Sequence, residues 1–431
     1  MAQVLFYLKG LPPFLVLLMV LVAAHELGHY LFARLFNMGV EEFSVGMFGK
    51  RPILRYMRRT YRIKLKEGDD PYLKFRPDGI NLESGGEDRP VVVIDTPNGR
   101  ILEEYTDFTV RPWPIGGFVR IKGMMPQPNG SEIHIPGGFY SKPPWQRLIV
   151  LLAGPVFSVL GGVLAMIPLF MIQGEYRSSN EPIIGQVMES KAADLAGLRE
   201  GDRILSINGQ PIKTFYDIMV RVQNNPGKPL EFVYNDAGKV KTTTVTPYLN
   251  EEPTEVVGPD LEPTGEIANL GMMGVIRNRK LVRLTLADAT VTAFRVPVQD
   301  VVNLLGIAKR PSLGKDSVGG PLTMLKVTSN AVDDGTAEVV MVAALISISV
   351  GIFNLLPIYP LDGGQMVVAL AELLRGGRRL SMRVQELVGT IGMALVLLMV
   401  ICVFGIDFMR LGAKDPPPLK LKPSPGAPAK K

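Results

Sequence analysis

The chain has 431 residues, 47% of them hydrophobic, with a mean hydropathy of +0.20, a net charge of +6 and one cysteine. This length leaves room for two or three domains, the apolar content speaks against a wholly soluble chain, and the modest charge gives no footing for nucleic acid. Cys402 lies in an apolar run and can form no disulfide within the chain, so it carries little information about compartment.

The first apolar run covers Leu11 to Phe36 and is interrupted by His25-Glu26-Leu27-Gly28-His29 and Arg34. Histidines four apart stack on one helical face, the spacing two zinc ligands need, and the glutamate beside the first can take a proton from water. A lone histidine in an apolar helix is usually hydrogen-bonded and inert. Three polar side chains on one lipid-buried face are different, because an ionisable residue there costs about 2.5 to 3.5 kcal/mol and so marks a functional site. A cleaved signal peptide, with Lys9 as basic flank and Ala23-Ala24 before the cut, is the rival reading; the apolar sequence resuming at Tyr30-Leu31-Phe32-Ala33 argues against it. The strictly apolar part is too short to span, so the motif belongs inside a first membrane helix over 1–36.

Residues 37–146 form a long loop. Lys50 and the arginines from Arg51 to Arg62, interleaved with Ile53, Leu54, Tyr56 and Met57, suit an anionic lipid surface or a solvated basic turn. Short strands with turns at Asp78-Gly79 and Asn98-Gly99 make 50–110 a β-rich insert. An apolar strand pattern returns toward the membrane at 114–124, in Pro114 to Gly123. His134 follows in what reads as polar surface sequence.

A second uncharged run, Leu148 to Ile172, implies a helix over 147–173. Next, Leu195 to Gln210 sets a helix end, a Gly-Asp turn, an alternating strand and an Asn-Gly turn in sequence, which looks like a PDZ domain over 178–278. Pro253 to Glu266 reads as an insertion within the loop 248–266, and Ile267 to Val275 as a closing strand. Such domains bind peptide segments by strand addition. An amphipathic linker, 279–337, leads to a third run, 338–374, then a fourth, 385–408, and a Lys/Pro-rich tail, 409–431. Arginines and lysines crowd the first loop and, as Arg375, Arg378, Arg379 and Arg383, the last one, so both face the cytoplasm and the PDZ segment faces outward.

Within the third run, Asn354-Leu355-Leu356-Pro357-Ile358-Tyr359-Pro360-Leu361-Asp362-Gly363-Gly364 breaks the helix around one aspartate. Irregular backbone at membrane depth is tolerated only where it lines a cavity or is buried in protein. The first and third helices run in the same direction, so Asp362 reaches the cytoplasmic half of the membrane, as the histidines do. There it can complete a His, His, carboxylate set for zinc.

The motifs together resemble the site-2 protease family of intramembrane zinc metalloproteases, most closely its bacterial regulator of sigma-E protease type. The resemblance is carried by His25 to His29, Gly116-Gly117-Phe118-Val119, Ala153-Gly154-Pro155, the PDZ stretch, Val318 to Leu322 and Asn354 to Gly364. It implies a polytopic α-helical protein of about four membrane helices, with a membrane-associated β-loop, a cytoplasmic β-rich insert and an extracytoplasmic PDZ domain, placed in a bacterial inner membrane. By the same resemblance His25, His29 and Asp362 hold zinc and Glu26 is the general base. Asn354 holds substrate backbone, and the strand Gly117, Phe118, Val119, Arg120, Ile121 presents an unwound segment of a single-pass membrane protein. Ser158 stands where the family has asparagine. An inactive PDZ scaffold or chaperone, and a membrane-anchored zincin cutting soluble peptides, are the competing expectations.

Overall fold

The computed structural model describes residues 2–49, 51–65, 92–97, 99–127, 130–250, 254–259, 263–309 and 319–412. The expected strands between Tyr72 and Val91, the Asp78-Gly79 turn and the basic tail from residue 413 lie outside them. The chain divides into two units, one built from 2–171 and 285–412, the other from Ile172–Leu284.

The first unit begins with the apolar helix α1, Ala2–Leu35. It leaves through Asn37, in the left-handed region at φ 53, into strand β1, Val40–Met47, whose residues alternate between buried and half-buried. Strands β2, Leu54–Lys64; β3, Val92–Thr96; β4, Gly99–Val110; and β5, Trp113–Ile121, complete one five-stranded sheet. Its order is β2-β4-β1-β5, with β3 also on β4, so β5 is an edge strand. β1 runs parallel to β4, with Phe43 opposite Phe108, and antiparallel to β5, with Phe43 opposite Val119.

The insert and the returning strand are therefore one sheet, not two pieces, and the strand that unites them, β1, was hidden by its glutamates. Glu42 is buried because Arg111 Nη2 donates to it at 2.7 Å and the Thr109 hydroxyl at 2.8 Å. The arginine-rich stretch is strand β2, and three of its arginines have carboxylate partners on β4: Arg59 and Arg62 reach Glu103, and Arg55 reaches Asp107.

Helix α2, Pro144–Gln173, packs along α1. Four helices among the described residues are long and apolar enough to cross a membrane: Lys9–Leu35, Pro144–Gln173, Thr336–Asn354 and Met382–Met409. Because lipid offers no hydrogen bonds, such segments must satisfy every backbone group internally, and helices do so.

The second unit begins with β6, Glu175–Ser178, and β7, Ile184–Val187, followed by the short helix α3, Ala192–Leu195. A four-stranded sheet of order β11-β10-β8-β9 follows, built from β8, Arg203–Ile207; β9, Gln210–Pro211; β10, Leu230–Asp236; and β11, Lys239–Val245. Asn208 and Gly209 both take positive φ, 52 and 73, which turns β8 into β9 as an Asn-Gly hairpin requires. Helix α4, Phe215–Gln223, starts with a capping box between Thr214 and Asp217. Ile184, Leu198, Ile204, Ile207, Ile218 and Phe232 form its core.

β12, Tyr248–Leu249, precedes a hairpin of β13, Thr254–Val257, and β14, Pro263–Ala268, where irregular loop was expected. β15, Gly271–Met272, pairs with β12. The strand that pairs with β7 is β16, Val275–Arg277, and β17, Arg279–Val282, pairs with β6.

Returning to the first unit, the expected linker forms α5, Leu286–Lys309, and α6, Pro321–Asp334. The start of α6 is held by Asp407, whose carboxylate accepts from the Gly320 and Leu322 backbone N–H groups at 3.1 and 2.9 Å and from the Thr323 hydroxyl at 2.6 Å. The third run divides into α7, Thr336–Asn354, and α8, Asp362–Leu374, with Pro357 and Pro360 between them. Helix α9, Met382–Gly412, carries Asp407 and ends the described chain.

Candidate functional site

One turn separates His25 and His29 on α1, and both are buried, at 7% and 8% exposure. Their rings stand edge to face with centroids 5.0 Å apart. Each outer nitrogen has a partner on α2. His29 Nδ1 lies 2.8 Å from the Val150 carbonyl, which can only accept, so Nδ1 carries the hydrogen and Nε2 keeps its lone pair. His25 Nδ1 lies 2.9 Å from Ser158 Oγ, and the Ser158 carbonyl accepts from the Ser347 hydroxyl of α7 at 2.8 Å.

Small residues make this approach possible. A side-chain carbon on Gly28 would collide with the Ala153 carbonyl, and one on Gly154 would strike the inner nitrogens of both imidazoles. The Ala153-Gly154-Pro155 segment of α2 is therefore pressed against the histidine face of α1, as close backbone approach requires of glycine.

Asp362 opens α8, directly after the break. Its Oδ2 lies 3.0 Å from His25 Nε2 and 3.4 Å from His29 Nε2, and the two Nε2 atoms are 3.3 Å apart. Donors about 2.0 to 2.1 Å from one tetrahedral zinc ion stand about 3.3 Å from each other, so the set fits that ion. With the hydrogen of His29 on Nδ1, its Nε2 lone pair faces the Asp362 carboxylate, so two acceptors point at one space. A cation is the simplest way to reconcile them. His25, His29 and Asp362 are the group among the described residues able to hold a metal in this way, and His134 lies apart, exposed at the end of the 3-10 turn Ser131–His134.

Glu26 is half-buried and lines a cavity of about 380 Å³ together with His25, His29 and Asp362. Gly117, Phe118, Val119 and Ile121 of β5 line the same cavity, and so does Asn354, whose amide donates to the Val350 carbonyl at 3.0 Å. Arg120 does not join them. It lies over the Phe118 ring at 5.5 Å and reaches toward Glu42 at 3.8 Å.

Sequence reasoning noticed Ser158 only as a departure from the family and did not single out Val150 at all. The hydroxyl in an apolar helix was the available signal for Ser158. A backbone carbonyl leaves none.

The description "Peptidase family M50" matches residues 13–64 and 99–399, leaving 65–98 unmatched. The zinc metalloprotease RasP of Bacillus licheniformis is 27% identical over 427 residues, covering 92% of this chain and 98% of that protein. The regulator of sigma-W protease RasP of Bacillus subtilis is 27% identical over 430 residues, covering 92% and 98%. The zinc metalloprotease RasP of Geobacillus kaustophilus is 28% identical over 438 residues, covering 94% and 98%.

Proposed function

The chain belongs to peptidase family M50 and is a zinc metalloendopeptidase of the site-2 protease type, and from that premise we propose that it cuts peptide bonds in or beside the transmembrane segments of single-pass membrane proteins. The observation that carries this reading is the convergence of His25, His29 and Asp362 beside Glu26, with the histidines inside the Lys9–Leu35 membrane helix.

In this reading His25, His29 and Asp362 hold the metal, oriented by Ser158 and the Val150 carbonyl. Zinc, when bound, supplies a Lewis acid that polarises a carbonyl and makes water reactive at neutral pH. The Glu26 carboxylate takes the proton of the attacking water and returns it to the nitrogen of the breaking peptide bond, which leaves as an amine. A helical substrate hides its carbonyls in its own hydrogen bonds, so it must first be unwound. The free edge of β5 can replace the lost bonds by accepting the segment as a further strand, with Gly117 to Ile121 alongside it and Asn354 holding its backbone. Arg120, turned away from the cavity, would serve the strand's backbone and not its side-chain pockets.

Glu26→Gln should retain a full equivalent of zinc by metal analysis yet lose cleavage of a model transmembrane peptide, whereas the chelator-treated parent should lose both. Undiminished cleavage by Glu26→Gln would refute its role as base.

The Ile172–Leu284 unit we read as an outward-facing PDZ domain that admits substrates already shortened by another protease. Its four-stranded sheet, hairpins and Asn-Gly turn support that reading. Deleting 183–247 should widen the range of membrane proteins cut, and continued refusal of full-length substrates by the deletion protein would end the gating idea.

A further inference from the structure

Arg147 and Glu372 form an ion pair whose members are 4% and 0% exposed, near neither terminus of the chain and 225 positions apart. Burying such a pair is a poor source of stability, because desolvation offsets most of the attraction, and fixing a register is its best-attested use. The elements it joins indicate which register is meant.

Arg147 stands on α2, three residues before Val150, whose carbonyl orients His29. Glu372 stands on α8, ten residues after Asp362, about 15 Å along the helix at 1.5 Å per residue. Val150 and Leu151 of α2 and Ala369 of α8 share one core cluster, so the two helices pack between these points. At its other end α8 is joined to α7 through the non-helical residues 355–361.

We propose that the buried Arg147–Glu372 pair is a positioning device for the metal centre, locking α8 against α2 so that the Asp362 carboxylate meets the two imidazoles. This rests on the reading of His25, His29 and Asp362 as the metal ligands. The lock is directional. The Arg147 guanidinium lies 4.8 Å over the Tyr140 ring, the Arg379 guanidinium covers the same ring at 4.5 Å, and Glu372 Oε1 accepts from the Leu380 backbone N–H at 3.4 Å. Both carboxylate oxygens and the plane of the guanidinium are thus committed. A slip of α8 along its axis would move Asp362 by the same amount, and ligand distances tolerate only about 0.2 Å.

The test is zinc affinity of the full-length protein in detergent, read by competition with a chromophoric chelator, for Glu372→Gln, Arg147→Met, their double variant and Asp362→Asn as reference. Glu372→Gln and Arg147→Met should each weaken zinc binding about 10- to 100-fold. The double variant should be no weaker than either single, since the two side chains act as one unit. Cleavage of a model transmembrane peptide by the single variants should recover as zinc is raised, with its midpoint shifted by about the same 10- to 100-fold, a recovery that a general loss of folded protein would not show. Zinc affinity of Glu372→Gln within about two-fold of the parent, with Asp362→Asn weakened, would overturn the proposal. Unweakened zinc binding by Asp362→Asn would instead overturn the ligand reading beneath it. Should Glu372→Gln fail to fold, Arg147→Met decides, and parent-like affinity there overturns the proposal as well; Arg147→Lys, which keeps one charged donor for the Glu372 carboxylate, should recover most of the lost affinity.

Discussion

At the scale of single residues, Ser158 shows how a small hydroxyl replaces a longer polar side chain. Its Oγ reaches His25 Nδ1 at 2.9 Å because Gly154, one turn earlier on α2, lets the helices approach to backbone contact. Ser158→Ala should remove the orienting contact without a cavity of consequence, so zinc affinity should fall about 10-fold with little change in melting temperature. A zinc titration of the purified variant checks this, and a parent-like affinity would show that His25 needs no orientation from α2. The buried hydroxyl was visible in the sequence. Its partner was not, because 133 positions separate Ser158 from His25 and only the packing of α1 on α2 joins them.

At the scale of elements, helix termini decide local stability in both units. In α4, burial raises the Asp217 carboxyl, but bonds accepted from the Lys213 and Thr214 backbone N–H groups at 2.9 and 2.8 Å outweigh it and hold the group below the ordinary carboxylate range. A pKa depressed by folding adds stability that is present above the unfolded value and is lost as pH falls through the folded one. The protection factors of the α4 amides, with the intrinsic pH dependence of exchange divided out, should therefore fall as pH drops through the acid range, and Asp217→Asn should flatten that dependence. Thr214→Ala should cost about 1 kcal/mol of protection in the same helix at neutral pH, read from hydrogen exchange. On α6 the cap comes from another element, Asp407 of α9, whose carboxylate serves three or more donors at once. The Thr214 and Asp217 box can be read from adjacent residues. Asp407 sits 84 positions from Thr323, at the edge of an apolar run where nothing local announces a partner.

At the scale of the whole molecule, the charge of the connecting loops predicts a cytoplasmic last loop and an outward-facing Ile172–Leu284 unit, and that is testable without any structure of a complex. With Cys402 replaced by serine, a cysteine placed at Lys239 should react with a membrane-impermeant maleimide in intact cells, and one placed at Arg378 only after the membrane is opened. Labelling of the Arg378 position from outside would invert the topology. The sequence alone determined the four apolar helices, the break at Pro357 and Pro360, and the pairing of two histidines one turn apart, because each depends on neighbours along the chain: lipid forces backbone bonds to close within a segment, and helical geometry then dictates which side chains share a face. Tertiary structure alone decided that β1 is a strand, with Glu42 buried against Arg111, that Val150 and Ser158 aim the imidazoles, and that Arg147 meets Glu372. Those contacts join residues 69 to 225 positions apart, and the free energy that makes them comes from burying groups together, which no local pattern of residues encodes.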